Sequence, residues 1–411
     1  MPINTFVVKV ASRCNLNCSY CYMYNMGDNT YMKQPKFMSI DTVIHFAQKL
    51  KRYCNANDLK CVYISFHGGE PLLASKQFYK DAVYSISSIM DGVDVIYVMQ
   101  TNGTLLDEEW CQLLNQLNIQ AGISIDGPKE KHDIFRVYHD NKGSFDEVVK
   151  GINLRNTYGI GGVISVINIA ISPEEFYAFY KSLNSPLINI LLPDGHFENF
   201  PPRFEFFYNP FVTPYGDWLI ELYSYWRNDR DENKPVISFF ENIVGMILGL
   251  DKGDELIGKR KNGAICIETD GSIEVVDPLR ICGEGFTRNN LNVDSNEISD
   301  ILSLPLFDLF YNSHTILCNK CDACSVKDIC GGGYLAHRYS KHNGFDNPSI
   351  YCKDLMKLIT YIQNSIISDL PTDVISELEI DRLTYHEALT SIEENKILNN
   401  LSKDFLASFK K

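Results

Sequence analysis

Cys14, Cys18 and Cys21 stand within eight residues, in the stretch ASRCNLNCSYCY. Their C-x3-C-x2-C spacing offers three thiolates from one loop. A 4Fe–4S cube normally takes four cysteines. Three leave one iron without a protein ligand, and an open coordination position is what separates a reactive metal site from a structural one. The same spacing also suits a zinc site whose fourth ligand lies elsewhere. A second group, Cys318, Cys321, Cys324 and Cys330, falls in CNKCDACSVKDIC, flanked by Cys266, Cys282 and Cys352. Zinc is the generic reading for that group too. Cys54, Cys61 and Cys111 are scattered and read as ordinary buried thiols. Thirteen cysteines, an odd number and strongly clustered, point to metal or redox chemistry in a reducing compartment rather than to disulfides.

The polar motifs that could complete such a site each follow an apolar run: HGGEP after 61–66, QTNG after 94–99, SIDGP after 120–123 and LLPDGH after 187–190. These runs are rich in Val and Ile and nearly continuous, as expected of buried parallel strands. TFVVKVA (5–11) is the first, and GGVISVINIAI near 161–171 also qualifies. Amphipathic helix patterns lie between them, giving six βα units that end near residue 195. Alternation of this kind builds a doubly wound sheet or a barrel. In a barrel, all the loops after strands share one rim, where active sites sit. We therefore expect an α/β fold, a partial (β/α)6 TIM barrel open on one side, over 1–195. A helical bridge is expected over 196–260, a cysteine-rich module over 261–355, and two C-terminal helices over 356–411, broken at Leu370-Pro371. Within the module, AICIETDGSIEVV reads as a hairpin turning at Asp270-Gly271.

The chain has 411 residues, 45% hydrophobic and 12% aromatic, enough for a large core. Its net charge of −14 argues against nucleic acid, since phosphate binding needs a basic surface. No run of eighteen apolar residues is long enough to span a membrane. The N-terminus lacks signal-peptide features and enters a strand by Thr5, which implies a cytoplasmic protein without a separate N-terminal domain. No Gly-rich dinucleotide or Walker-type phosphate loop is present.

CNLNCSYC, with Tyr20 before the third cysteine, resembles the signature of radical SAM enzymes, and GGEP (Gly68, Gly69, Glu70, Pro71) resembles that family's second motif. The resemblance covers about 5–195. It implies a cluster at Cys14, Cys18 and Cys21 whose open iron chelates S-adenosylmethionine, with reductive cleavage giving a 5′-deoxyadenosyl radical. It further implies that the GGEP loop receives the methionine amino group, with Glu70 as an acceptor. Thr101 and Asn102 of TNG also face the cofactor. Ser124 and Asp126 lie near the ribose, and Arg136 near the methionine carboxylate.

CDACSVKDIC followed by Cys352 resembles the SPASM domain of such enzymes, which binds auxiliary 4Fe–4S clusters. The resemblance implies one cluster at Cys321, Cys324, Cys330 and Cys352, and leaves Cys266, Cys282 and Cys318 for a second. Tyr334 stands where the family has a further cysteine, so this second set holds three obvious thiolates. CGGGYLAHRYSKHNGFDNPSIYC, together with LLPDGHFENFPP, TPYGDWLIELYSYW and FFENIVGMILG, resembles the FxsB/XyeB-like peptide maturases. That implies a ribosomal precursor peptide, leader plus core, as substrate, and an external electron donor such as flavodoxin or ferredoxin. The product is a three-residue cyclophane joining an aromatic ring to a Cβ two residues on. Asp277 and Asp194 are the candidate bases for the ring proton; in their bland readings Asp277 caps a turn before Pro278 and Asp194 sits in an ordinary Pro-Asp-Gly turn. His337 and Arg338 either hold substrate or brace their loop. The leader is expected on the barrel, the bridge (including the aromatic 197–211) or the terminal helices. Thioether formation, epimerisation and formylglycine formation are the enzymatic alternatives. An iron–sulfur electron carrier and a zinc-stabilised scaffold are the non-enzymatic ones.

Overall fold

The computed structural model describes residues 2–159, 161–201, 209, 212–377, 381–394 and 402–410. They form two compact units. The first comprises Met1–Asn168, Phe179–Leu192 and Gly263–Tyr311; the second comprises Ile169–Ala178, Pro193–Asn262 and Asn312–Lys411.

In the first unit six strands run parallel in chain order: β1 (Thr5–Ala11), β2 (Cys61–Gly68), β3 (Asp94–Thr101), β4 (Ile119–Ser124), β5 (Val163–Val166) and β6 (Leu187–Leu191). The expected succession of βα units is therefore present. The helices between strands start where a side chain can cap them. Ser39 accepts from Thr42 N at the start of α1 (Ile40–Ala56), and Ser75 from Phe78 N before α2 (Lys76–Ile89). Asp107 accepts from Trp110 N before α3 (Glu108–Gln116). On α1 the buried positions Val43, Phe46, Ala47, Leu50 and Cys54 recur at helical spacing and make one packed face. Cys54 and Cys111 are buried in this way, whereas Cys61 is only half-buried.

The sheet does not end at β1. Ala264–Ile267 pairs with it in parallel, Thr5 beside Ala264 through Val8 beside Ile267. Ile273–Glu274 then pairs back antiparallel, and the turn between them carries Gly271 at φ 82°. The hairpin lies where the sequence puts it, but as an extension of the barrel sheet. The stretch 261–355 is accordingly divided: 263–311 belongs to the first unit and 312–355 to the second.

The second unit is helical. Helix Pro214–Asn228 lies against helix Cys352–Asp369, and the Gly216 N–H donates to Asp354 Oδ1 at 2.7 Å. A Cβ on Gly216 would come within 2.9 Å of the Asp354 backbone, so the two helices meet there with no room for a side chain. After Leu370 the tail forms shorter helices, Thr372–Glu377, Tyr385–Glu394 and Lys403–Ala407, rather than one more long one. Of the aromatic stretch 197–211, residues 202–208, 210 and 211 lie outside the described residues. Among the described residues no helix is long and apolar enough to cross a membrane.

Candidate functional site

The parallel strands point their C-terminal ends the same way, so the loops that follow them gather. The cysteine loop leaves β1 and is strapped to the segment after β4: Ser19 N donates to Phe135 O at 3.1 Å and Asn17 N to Val137 O at 2.7 Å. Within it Cys21 N donates to Cys18 O at 3.0 Å. Burial pushes all three thiols up, Cys21 to about 12, and for Cys14 and Cys21 charge on neighbouring thiols of the loop adds to the rise. Cys14 Sγ receives the Leu16 N–H at 3.4 Å and the Asn102 amide at 3.8 Å, and the charge of Arg136 works against the burial of Cys18. Among the described residues no three His, Cys, Asp or Glu side chains converge on a point that would hold a single metal ion. The donor chemistry nonetheless fits a thiolate-bound cluster. Three neighbouring sulfurs in one loop are met by N–H donors, as the outer partners of anionic metal ligands are.

The GGEP loop is pressed against this one. A Cβ on Gly69 would stand 1.9 Å from the Tyr24 hydroxyl and 2.4 Å from Arg13 O. Gly68, at φ 139°, would put a Cβ 2.1 Å from Ala11 O. Glu70 is fully buried. Its carboxylate accepts from Leu72 N (2.9 Å), Thr101 Oγ1 (2.6 Å) and Asn102 N (2.8 Å). Burial pushes its pKa up to about 7 against those three donors. Glu70 and Thr101, both expected at the cofactor, thus pin the GGEP and TNG turns to one another, while Asn102 reaches Cys14. We expect Gly69→Ala to cost about 1–3 kcal/mol, since the obstruction includes backbone, and to lower iron content after reconstitution. Thermal melts and iron assays on the same preparation check this.

Asp126 is the second junction. Tyr20 Oη and Arg136 Nε (2.7 Å) both bond to its Oδ2, and Val166 N donates to its Oδ1 at 2.9 Å. The Asp126 N–H points at His132 Nδ1, and His132 Nε2 lies 3.0 Å from Ser144 Oγ. Burial, and then Arg136, lower the His132 pKa to about 4, so it stays neutral. Ser124 receives the Gln100 amide at 2.8 Å. Tyr20, Ser124, Asp126 and Arg136 therefore all belong to this rim, with Asp126 already holding Tyr20 and Arg136.

Asp277 is in the first unit with the barrel. Its Oδ2 bonds to Lys9 Nζ and accepts from the Tyr22 hydroxyl at 2.7 Å. The Cys266 thiol is 3.7 Å from Oδ1. Burial opposes the carboxylate charge, but Lys9 beside it holds the Asp277 pKa well below the usual carboxylate range. Lys9 lies opposite His67 in the β1–β2 register and 3.3 Å from its Nδ1. His67 is kept neutral, its pKa lowered to about 4 by burial and then by Lys9. Lys9, Tyr22 and His67 escaped the sequence reading. The signal was one lysine inside TFVVKVA, a strand otherwise apolar but for its first residue. Close by, Arg280 joins Glu268 (2.7 Å), Glu274 (3.2 Å) and Asp28 (3.4 Å), all buried. This ties the chain after the cysteine loop to the segment that carries Cys282. Asp194 lies in the second unit, 3.9 Å from His337 Nε2.

The second unit holds five thiols. The Cys318 and Cys321 thiols lie close enough to influence each other. Cys352 feels Cys330, Cys324 and Cys318 as neighbouring charges, on top of burial that pushes its pKa far up. Cys321 in turn feels Cys318 and Cys352, so Cys321, Cys324, Cys330 and Cys352 are neighbours, with Cys318 among them. Cys318, expected with Cys266 and Cys282, lies in the second unit, and those two lie in the first. Gly331, Gly332 and Gly333 all have positive φ, 57°, 77° and 69°. Arg338 donates to four carbonyls, Nε to Gly332 (2.9 Å), Nη1 to Ser313 (2.7 Å) and Nη2 to Gly331 (2.7 Å) and Gly333 (2.6 Å). Arg338 therefore braces this loop.

Comparison with known proteins gives the following likenesses. The model of the radical SAM superfamily matches residues 8–183. A cysteine-type anaerobic sulfatase-maturating enzyme of Clostridium novyi (strain NT) is 25% identical over 89% of this chain and 98% of its own. An uncharacterized protein of Methanocaldococcus jannaschii is 30% identical over 55% of this chain and 76% of its own. Among solved structures, native anSMEcpe with bound AdoMet superimposes with a TM-score of 0.76 at 20% identity, covering 89% of this chain and all of that one.

Proposed function

This chain belongs to the radical SAM superfamily, and we propose that it matures a ribosomally made peptide by closing a three-residue cyclophane. Under this reading Cys14, Cys18 and Cys21 hold a 4Fe–4S cluster that, when bound, supplies the electron that cleaves S-adenosylmethionine. Tyr20, Asn102, Asp126 and Arg136 shape the rim around the cofactor. Glu70 and Thr101 fix the two turns that carry it. Cys321, Cys324, Cys330 and Cys352 hold an auxiliary cluster, and Cys266 and Cys282 are the thiols left for a second. An external donor, flavodoxin or ferredoxin in type, would feed electrons from the cytoplasm.

Crosslinking forms one C–C bond and removes two hydrogens from the peptide. One leaves the Cβ as an atom. The other leaves the ring as a proton, with an electron, when aromaticity returns. The proton needs a base, and the observation that carries a peptide-oxidising reading is a carboxylate held by a cation: Asp277, bonded to Lys9 and to Tyr22, one residue from Cys21. Asp194 is the alternative base, in the second unit.

A base at this place would equally serve formylglycine formation, and the sulfatase-maturating relatives favour that as the second reading. The signature around Tyr334 and His337 supports the cyclophane. Co-expression with a short neighbouring reading frame that carries an aromatic-x-x core tests it. We expect the peptide to lose two hydrogens per crosslink, to resist fragmentation inside the three residues and to ignore aldehyde reagents. A thioether loses the same mass, so fragmentation must locate the new bond on a ring carbon. An aldehyde formed on a sulfatase-derived peptide would select the second reading.

A further inference from the structure

Arg338 is 1% exposed, and its guanidinium meets only neutral carbonyls, those of Ser313, Gly331, Gly332 and Gly333. Among the described residues no carboxylate pairs with it. A buried cation without a counter-charge is costly, and four carbonyl dipoles do not neutralise it. Its Nη2 donates to Gly331, the residue after Cys330, and Gly333 N donates to Cys330 O at 2.9 Å, so the guanidinium stands beside the turn that carries one of the proposed cluster ligands. A thiolate-bound iron–sulfur group is anionic and would balance the charge there. The loop is built to keep the guanidinium there. The three glycines turn through positive φ so that their carbonyls converge on it, and a Cβ on Gly332 would strike it at 2.8 Å.

We propose that Arg338 is the buried counter-charge of the cluster held by Cys321, Cys324, Cys330 and Cys352, and that its positive charge raises that cluster's reduction potential. This rests on the reading that these thiols hold an iron–sulfur group. Net charge and hydrogen bonding are main determinants of such potentials. A fixed cation favours the reduced, more negative state. That suits a cluster asked to accept the electron released when the aromatic ring is restored.

The test uses full-length protein in which Cys14, Cys18 and Cys21 are replaced by alanine, so that auxiliary signals are seen alone. Wild-type Arg338, Arg338→Gln and Arg338→Lys are reconstituted, assayed for iron and titrated by EPR-monitored potentiometry. We expect Arg338→Gln to make reduction at least tenfold less favourable, a midpoint about 59 mV or more lower for one electron. Arg338→Lys, which keeps the charge and breaks the fork, should stay close to wild type. The proposal is overturned if neither midpoint moves, or if both move equally, since geometry alone would then be responsible. Loss of iron from both variants with helical signal intact would mark Arg338 as a brace only, and overturns it as well. If instead Cys324→Ala in the wild-type Arg338 background leaves iron content unchanged, the cluster assignment itself has failed, which the iron assay reports separately from any potential.

Discussion

Replacing Cys14, Cys18 and Cys21 together by alanine should remove roughly four irons per chain and bring reductive cleavage of S-adenosylmethionine down to background. The same result is expected from Cys14→Ala alone, because three thiolates are the fewest that can hold a cube with one open corner. The loop's backbone should survive, since its straps to Phe135 and Val137 are main-chain bonds that involve no sulfur. Circular dichroism and melting should therefore stay near wild type while 5′-deoxyadenosine production under dithionite disappears. Leu16 N–H and the Asn102 amide then lose their acceptor on Cys14. That costs on the order of 1 kcal/mol, too little to unfold the barrel. Iron content unchanged by the triple replacement would remove the basis of the functional reading.

What the sequence could and could not foretell divides along physical lines. β1 to β6 were legible because each is a short Val/Ile-rich run followed by turn chemistry, and parallel neighbours in chain order follow from alternation with helices. The hairpin at Asp270-Gly271 was legible for the same local reason. Its partner was not: the pairing of Ala264–Ile267 with β1 joins residues some 260 positions apart, and nothing in either strand names the other. The same holds for the ion pairs of Glu297 with Lys49 and Arg52 and of Arg280 with Asp28, which also tie 263–311 to the first unit. Glu70 and Asp126 show another limit. Their motifs follow the strands as read, but only three-dimensional accounting of donors reveals that Glu70 joins two turns and Asp126 joins Tyr20 to Arg136. Lys9 and His67 were hidden because strand register, not sequence spacing, sets them side by side, with Lys9 bonded to Asp277.

Asp277→Asn should uncouple the two halves of the reaction: 5′-deoxyadenosine still forms, while crosslinked peptide falls by roughly 10²–10⁴, the range of a lost general base. The difficulty is that Asp277 is also half of a buried ion pair. Removing its charge leaves Lys9, which is fully buried, without its anion, a loss of about 3–5 kcal/mol. A merely destabilised enzyme would also make less product. The double variant Lys9→Met/Asp277→Asn separates the two effects, because it removes the stranded cation and fills its space with an apolar chain. We expect it to melt closer to wild type and still not crosslink. Recovery of crosslinking in the double variant would show that the pair serves only the fold. The pH dependence gives a second discriminator. Lys9 holds the folded carboxyl below its unfolded value of about 3.9, so its contribution to stability is present above that pH and is lost as pH falls through the folded pKa. The single variant should accordingly show a flatter stability curve below about pH 4 and a uniform deficit above it. The crosslinking deficit should persist at every pH where the protein is folded, because a base kept ionised by Lys9 and Tyr22 has no protonated form to recover from in that range.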